Sequence, residues 1–383
     1  MTTVAPADDI QAKPTPQPHL LAEKSAVDAA ESRAPSTIAS SIKDAPEETA
    51  HNEPPLLPAG PLKVPFPHPL PHCTPVAQPE LTPEQTKKYD DLLKVVESWT
   101  EIPVKSGRFA KKEPITAEEK LWLTKECLLR YLRGTKWSAT EAPKRLLASL
   151  TWRREYGVYT FTPEYISPEN ETGKQVLLGF DNDARPCLYL NPSKQNTSGR
   201  ERQLHHLVFM FERVIDLMAP GQETLALLIN FKETGSGGQS GPSVGQGKET
   251  LNILQAHYPE RLGRALISEL PWYITTFFKF LSPFIDPVTR SKMKFNEPLT
   301  EHVPAPQLQK HYGGEADFEY QHDVYWPALN KLCEERRKAY RDRWVDAGEK
   351  VGVSEFYLRG GTENSTTAVD NATAGIEKMA VQL

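Results

Sequence analysis

The chain has 383 residues and a formal net charge of −5. This length predicts two or three domains, and the small negative charge argues against a protein built mainly to coat nucleic acid, so no nucleic-acid partner is expected. The four cysteines lie far apart and lack the C-x-x-C spacing of a zinc site, which favours a reducing environment and no metal. The first residues show neither the basic nor the apolar stretch of a secretory signal, so a cytoplasmic protein is expected.

Proline dominates the first part of the chain. Seventeen of the 34 prolines fall in residues 1–83, among Ala, Ser, Thr and Glu. Such a composition buries too little apolar surface to offset chain entropy, so residues 1–81 are predicted to form a disordered Pro-rich arm. Its section PFPHPLPHC is interpreted as a solvated linker, with a docking motif for protein partners as the alternative.

Three segments with helical periodicity follow and predict a small helical domain over residues 82–157. The first begins with Thr82 as N-cap directly before a proline. The second has Thr116 with Glu119 three residues later, which is the capping-box pattern. The third ends near Gly157, a residue type favoured after the last turn of a helix.

From Gly173 the period changes to that of an α/β domain, predicted over residues 158–348. GKQVLLGFDNDARPCLYLNP indicates two strands about an Asn-Asp-Ala turn. A helix (RQLHHLVFMFERVIDLMA), a buried strand (TLALLINFK), a second helix (KETLNILQAHYPERL) and another buried strand (RALISELP) follow. This order predicts parallel strands with right-handed crossovers. DVYWPALNKLCEERRKAYRDRW predicts a last helix, before a disordered tail over residues 349–383.

An apolar run follows the last buried strand, from Trp272 to Ile285. It is 14 residues long and contains Lys279. A bilayer span needs about 20 residues, so this run is predicted to be a helix outside the sheet that contacts membranes without crossing them. Pro283 should end it.

The stretch after this run begins with Asp286 and Pro287, a strong helix start with aspartate as N-cap and proline at the first helical position. Thr289 and Lys292 would then lie three residues apart on one helix face. Local chemistry favours a well-capped helix start over a phosphate site at a helix N-terminus, and both interpretations remain open at this level.

Three enzyme patterns occur in the Gly/Ser-rich loop that follows TLALLINFK. GPSVG matches the nucleophile elbow, and Ser243 is followed by Asp286 and His302 in hydrolase order. However, Ser243 comes eleven residues after Lys232, whereas an elbow must follow its strand directly. GQGKET departs from the P-loop at two positions, and GSGGQSG lacks a glycine of the dinucleotide fingerprint. A non-enzyme is therefore expected, with a lipid esterase using Ser243 as the alternative.

Three motifs resemble the CRAL-TRIO lipid-binding family: LLRYLRGTKW in the helical domain, AHYPERLGRALI in the βαβ unit, and PFIDPVTRSK with YGG downstream. NDARPCLYL, HLVFMFERVID and HDVYWPAL are similar to the fungal phosphatidylinositol transfer proteins of the pleiotropic-drug-resistance branch. The resemblance implies an α/β fold in which a small N-terminal helical domain packs on a lipid-binding domain. There, a mostly parallel sheet would floor an apolar pocket closed by a mobile lid helix.

The same resemblance implies that the apolar run is the lid. The lid residues that it implies are Trp272, Phe277, Phe278 and Leu281.

A headgroup site for phosphatidylinositol is also implied by the resemblance. The family's motif residues fall on Lys136, Glu260, Thr289 and Lys292. The lysines would neutralise phosphate charge, the glutamate would accept hydrogen bonds from inositol hydroxyls, and the threonine would add another hydrogen bond. Many relatives have an arginine where this chain has Thr135, so one cationic contact is missing.

A second departure concerns the positions that surround choline in relatives that also carry phosphatidylcholine. Here every one of them is apolar: Leu177, Leu188, Phe211, Leu225 and Leu227. The loss of these polar atoms argues against phosphatidylcholine and favours a bulkier apolar second ligand, such as a sterol.

The sequence thus predicts a non-enzymatic lipid exchange protein, cytoplasmic and peripheral on membranes, with the endoplasmic reticulum and lipid droplets as candidate locations. It would carry phosphatidylinositol between membranes or present it to lipid kinases, with no cofactor besides the bound lipid. A membrane-recruited scaffold that uses the Pro-rich arm for protein partners and never releases lipid is the remaining alternative.

Overall fold

The computed structural model describes residues 60–231, 244–269 and 272–362; the side chains of Val244, Trp272, Tyr273, Ile274, Phe277 and Leu281 lie outside this description. Its N-terminal part is helical, as predicted. The helices are Pro83–Glu97 (α1), Ala117–Trp122 (α2), Lys125–Gly134 (α3) and Glu141–Tyr156 (α4), with a short antiparallel hairpin of Glu101–Pro103 (β1) and Lys112–Pro114 (β2) after α1.

The predicted caps of this helical part are present. Thr82 and Thr116 each accept a hydrogen bond from the amide three residues later and complete a capping box. Gly157 ends α4 with φ of 77°, a left-handed conformation that glycine adopts without steric cost. The second predicted helix is divided into two because the Thr124 side chain accepts from the Cys127 amide and starts α3 anew.

The remaining elements form a layered α/β arrangement. They are, in chain order, Pro163–Asn170 (α5), Gln175–Phe180 (β3), Pro186–Leu190 (β4), Arg200–Leu217 (α6), Leu225–Asn230 (β5), Val244–His257 (α7), Leu262–Ser268 (β6), Trp272–Leu281 (α8), Pro287–Ser291 (α9), Met293–Phe295 (β7), His322–Asp346 (α10) and Glu355–Leu358 (α11). No helix in the described ranges has both the length and the apolar character needed to cross a membrane.

A five-stranded sheet in the order β3-β4-β5-β6-β7 forms the centre of this part. The first pair is antiparallel and the other three pairs are parallel, which confirms the predicted mostly parallel sheet. The edge strand β3 is also joined to α10, because the Tyr325 hydroxyl donates to the Leu177 carbonyl at 2.8 Å and accepts from the Leu177 amide at 2.7 Å.

Residues 60–81, predicted to belong to the disordered arm, instead pack against the folded part. The Leu62 amide donates to the Asp317 carbonyl at 2.6 Å, and the Glu319 amide donates back to the Leu62 carbonyl at 3.0 Å. Phe66 packs against the main core and Cys73 is buried. The average composition of this segment is that of a linker. A few apolar side chains nevertheless stabilise it, because they pack against other parts of the chain. Residues 1–59 lie outside the description.

The predicted tail disorder is likewise wrong for residues 349–362. This segment contains α11, and the carboxylate of Glu355 is buried and accepts hydrogen bonds from Arg130 at 2.5 Å and from Thr124 at 2.8 Å. Burial alone would raise the pKa of Glu355, but Arg130, Arg261 and Arg359 lower it well below its usual range. Residues 363–383 are outside the described part.

Candidate functional site

The first segment of the candidate site follows α3. Lys136 and Trp137 have φ of 53° and 61°, in the left-handed region that non-glycine residues seldom occupy. The Trp137 amide donates to the Leu132 carbonyl at 2.7 Å, which closes the helix end. The Thr135 hydroxyl donates to the Tyr131 carbonyl at 2.8 Å. The tight turn leaves the Lys136 side chain exposed and without an ion pair to any described residue.

The second segment is the turn between α7 and β6. Glu260 also has a left-handed φ, 59°, directly after Pro259. Tyr258 anchors the turn, since its ring is buried and its hydroxyl donates to Glu212 Oε1 at 2.6 Å. The carboxylate of Glu260 is left at the surface, with its side chain 33% exposed.

The third segment is the stretch from Asp286 to Lys292. Asp286 accepts a hydrogen bond from the Thr289 amide at 2.9 Å, so the predicted N-cap is present. Burial opposes ionisation of this carboxyl, but the Thr289 side-chain and amide hydrogen bonds outweigh it and lower the pKa of Asp286. The helix α9 is only five residues long, and Lys292 caps its end.

The strand β7, which begins directly after Lys292, was not predicted. Its pairing with β6 starts where the Ala265 amide donates to the Lys292 carbonyl at 2.9 Å. A three-residue strand has no visible period in the sequence, so only the neighbouring strand reveals it. The consequence is that Lys292 is held at the edge of the sheet.

Two of the four predicted headgroup residues are in contact. Lys292 Nζ lies 3.9 Å from Glu260 Oε2, with the lysine side chain 24% exposed. Thr289 lies three residues before Lys292 and is half-buried. Lys136 makes no direct pair with Glu260, but its segment adjoins the same turn: a Cβ placed on Gly134 would lie 3.2 Å from Pro259 Cβ.

Arg145 of α4 ties these segments together and was missed by sequence reasoning. It donates through Nη1 to the Gly134 carbonyl at 2.9 Å, and through Nη2 to the carbonyl of Gln255 near the end of α7. Helix C-termini have unsatisfied carbonyls that arginine can bind, but the sequence does not tell which arginine reaches which helix. Arg145 therefore fixes the LRGTKW turn against the YPER turn.

The predicted second-ligand residues lie mainly on one face of the sheet. Leu177, Leu188 and Leu227 face each other in register across β3, β4 and β5, and the row continues to Ala265 and Met293. Leu225 precedes Leu227 by two residues and therefore shares this face. Phe211 of α6 is buried in the same core cluster.

This sheet face is incompletely covered at its centre. Leu177, Leu188 and Leu225 on this face are fully buried, but Leu227 and Ile229 of the central strand β5 are only half-buried. Phe278 of α8 packs on the same face, against Ile267 and its neighbours. The other predicted lid side chains, those of Trp272, Phe277 and Leu281, lie outside the description.

The predicted lid helix α8 and the residues directly after it carry exposed apolar groups. Phe280, Phe284 and Val288 are 63%, 41% and 54% exposed. Cations accompany them: Lys248 Nζ lies 4.5 Å from the centre of the Phe284 ring, and Arg290 donates to the Ser282 carbonyl at 2.5 Å. An apolar patch with adjacent cations is suited to contact an anionic bilayer surface.

The esterase alternative finds no support in the described residues. Ser243 lies outside them. The carboxylate that contacts His302 is Glu297, with Oε2 2.7 Å from His302 Nε2, whereas Asp286 caps α9. Among the residues that the structure describes, no group of three or more His, Cys, Asp or Glu side chains is placed to hold a metal ion.

Fold and site together define an α/β protein with an apolar sheet face, a helix over that face and a small charged cluster at its edge. Two family models match the chain: the CRAL/TRIO N-terminal domain over residues 88–148 and the CRAL/TRIO domain over residues 170–314. The protein belongs to the CRAL-TRIO family.

Three relatives illustrate the range of similarity. A CRAL-TRIO domain-containing protein of Schizosaccharomyces pombe is 55% identical over 279 residues, which cover 73% of this chain but 27% of that protein. Phosphatidylinositol transfer protein PDR17 of Saccharomyces cerevisiae is 38% identical over 291 residues, or 73% of this chain and 83% of the relative. The SEC14 cytosolic factor of Kluyveromyces lactis is 28% identical over 214 residues, or 50% of this chain and 70% of the relative.

Proposed function

We propose that this protein binds phosphatidylinositol and transfers it between membranes, or presents it to lipid kinases, without catalysing a reaction. The observation that carries the proposal is the contact between Lys292 and Glu260 at the edge of a half-covered apolar sheet face. Similarity to a relative named as a phosphatidylinositol transfer protein, aligned over 83% of that relative's length, supports the same conclusion.

The charged cluster suits a headgroup that carries both a phosphate and hydroxyls. Lys292 and Lys136 supply cations, while Glu260 supplies an acceptor for hydroxyl donors. The 3.9 Å separation of Lys292 from Glu260 is longer than a close hydrogen-bonded ion pair, so the ammonium retains donors for a phosphate. Each charge-assisted hydrogen bond contributes about 1.5–3 kcal/mol, and two or three of them suffice for headgroup selectivity.

The apolar sheet face suits the acyl chains. Leaving them in water would cost about 0.8 kcal/mol per methylene, so extraction requires that α8 covers them as they leave the bilayer. Opening this helix exposes its inner face, and contact with a membrane reduces the cost of that exposure. The exposed Phe280 and Phe284 are suited to make this contact.

For the second ligand we propose an apolar molecule such as a sterol and not phosphatidylcholine. The row of Leu177, Leu188 and Leu227 offers no hydrogen-bonding side chain to a choline phosphate. A polar headgroup buried there would lose its hydration without replacement, which costs about 2–7 kcal/mol per unsatisfied group.

The main test is to purify the protein from cells, identify co-purified lipids by mass spectrometry and measure lipid transfer between vesicles. We expect phosphatidylinositol to co-purify and to move between vesicles, and a sterol to transfer better than phosphatidylcholine. Absence of phosphatidylinositol together with no transfer would falsify the proposal. Lipid binding without release would favour the scaffold, and hydrolysis lost in a Ser243→Ala variant would favour the esterase.

A further inference from the structure

A cavity of about 430 Å³ lies away from the sheet face described above, between α6 and α10 and against the helical region and α11. Its volume falls within the usual range of small-molecule sites, about 300–1,000 Å³. Nine arginines but only four carboxylates are among the described residues that line it, so cations exceed anions by five. The headgroup residues Lys136, Glu260, Thr289 and Lys292 do not line it.

Each carboxylate of this cavity already has an arginine partner. Arg153 binds Glu212 through two hydrogen bonds of 2.8 and 3.0 Å. The other pairs are Arg337 with Asp216, Arg130 with Glu355, and Arg341 with Glu118. Asp216 and Glu355 are also shared with Arg213, Arg261 and Arg359, so the four lining carboxylates do not neutralise all nine arginines.

Arg336 and Arg343 show this excess most clearly, because neither forms an ion pair with a described residue. Arg336 Nη2 donates to the Pro67 carbonyl at 2.9 Å, and Arg343 Nη1 donates to the Leu358 carbonyl at 3.3 Å. A carbonyl accepts a hydrogen bond but does not neutralise a charge. Arg359 does have an ion pair, but a long one: its Nη2 lies 3.7 Å from Glu355 Oε2, and Arg130 pairs with the same carboxylate.

The lining arginines also repel one another, and burial adds to this effect on their pKa values. Burial and then the neighbouring Arg130 lower the pKa of Arg261 to about 10. Burial, followed by Arg359 and Arg343, lowers the pKa of Arg336. Glu355 and Glu223 offset part of this repulsion at Arg261. Guanidinium groups normally stay charged in proteins, so their excess over carboxylates destabilises the folded chain unless an anion is present.

We propose that this cavity binds a small anion that carries one or more phosphate groups. Phosphate matches the planar fork of arginine with paired hydrogen bonds, and a polyphosphate supplies several negative charges within one small volume. A ligand could enter past Arg337 and Arg341, whose side chains are 46% and 37% exposed, whereas those of Arg130, Arg261 and Arg359 are 4%, 8% and 7% exposed. The inference goes beyond lipid transfer and does not depend on it.

The probe is inorganic pyrophosphate, titrated by calorimetry into the full chain at constant ionic strength. We expect saturable binding, and at least tenfold weaker binding by the Arg336→Gln/Arg343→Gln variant, which keeps donors for the carbonyls but removes two charges. Lys331→Gln is the matched control, because this residue lies on the same helix α10 and its side chain is 79% exposed. Its affinity should equal that of the wild type.

If the double variant unfolds, Arg336→Lys and Arg343→Lys retain the charge but lose the fork, and each should weaken binding severalfold. A Lys136→Ala/Lys292→Ala variant should bind pyrophosphate normally; selective loss there would overturn the assignment to this cavity. So would absence of binding at millimolar pyrophosphate, or unchanged affinity of the folded double variant.

The source of the phosphate group is distinguished with vesicles that contain a phosphorylated phosphoinositide or phosphatidylcholine alone. The cavity takes a lipid headgroup if two results are obtained. Pyrophosphate displaces the wild-type protein from the phosphoinositide vesicles, and the Arg336→Gln/Arg343→Gln variant fails to bind these vesicles. The ligand is a soluble phosphate compound if calorimetry shows pyrophosphate binding, but neither pyrophosphate nor the double substitution changes vesicle binding. Both results support the phosphate site.

Discussion

Lys292 Nζ lies 3.9 Å from Glu260 Oε2, and this contact joins the end of α9 to the turn after α7. The two residues are 32 positions apart in the chain. Their side chains are only partly exposed, so a ligand between them would displace little water and meet both a cation and an acceptor.

Replacing Lys292 together with Lys136 by alanine should reduce phosphatidylinositol transfer at least tenfold, because each charge-assisted contact with phosphate contributes about 1.5–3 kcal/mol. The free energy of unfolding should change by less than about 1 kcal/mol, since neither lysine is deeply buried. Vesicle transfer and urea unfolding measure the two effects. Lys294→Ala is the matched control: this lysine pairs with Glu297 at 3.7 Å and should retain transfer. Normal transfer by the double variant would show that the headgroup site is assigned incorrectly.

Arg145→Met should lower the free energy of unfolding by about 1–3 kcal/mol, because carbonyls at the ends of α3 and α7 lose their donor. It should also weaken phosphatidylinositol transfer, since the turns that carry Lys136 and Glu260 lose their common support. The adjacent Lys144→Met removes only an exposed pair with Glu141 and should change neither quantity appreciably. If both variants behave alike, Arg145 does not position the site.

Phe280→Glu should weaken binding to anionic vesicles and slow lipid transfer, because it places a negative charge in the exposed apolar patch next to the membrane. Vesicle flotation and a transfer assay measure these effects. Phe109→Glu makes the same change at a residue that is 91% exposed in the β1–β2 hairpin region and serves as control. Equal vesicle binding by the two variants would argue against membrane contact through the lid region.

Glu212→Gln should destabilise the protein in a manner that depends on pH. Burial would raise the pKa of Glu212, but the Arg153 guanidinium outweighs it and lowers the pKa to about 2. The stabilisation is therefore complete above the unfolded pKa of about 4.5 and is lost as pH falls towards 2. Urea unfolding at pH 7 should show a loss of about 3 kcal/mol.

At pH 3 the difference between wild type and Glu212→Gln should be smaller, because the wild-type carboxylate loses part of its advantage. Glu84→Gln, which removes an exposed pair with Lys88, should leave stability essentially unchanged at both pH values. A pH-independent difference for Glu212→Gln would contradict the assigned pKa.

Phe66→Ala should lower the free energy of unfolding by about 2 kcal/mol, because its ring packs against the main core although it lies in a proline-rich segment. Val76→Ala, at a side chain of which 57% is exposed, should lower it by less than about 0.5 kcal/mol. Thermal or urea unfolding of both variants provides the comparison. Equal, small effects would mean that the segment around Phe66 contributes nothing to folding.

The local features of this protein follow from its sequence alone. The caps at Thr82, Thr116 and Asp286 were predictable because they depend on residues three positions apart. The order of β4, α6, β5, α7 and β6 was readable from hydrophobic period, and parallel strands follow from that order. The four candidate headgroup residues follow from motif resemblance, which implies no distance between them.

How these local features act together depends on the fold. The contact of Lys292 with Glu260, the Arg145 bonds to two helix ends and the packing of Phe66 all join residues distant in the chain, and no local pattern encodes such pairings. The arginine cavity is the strongest case. Its arginines are individually ordinary surface-type side chains in the sequence, and their excess of charge exists only because folding brings six separate segments around one space.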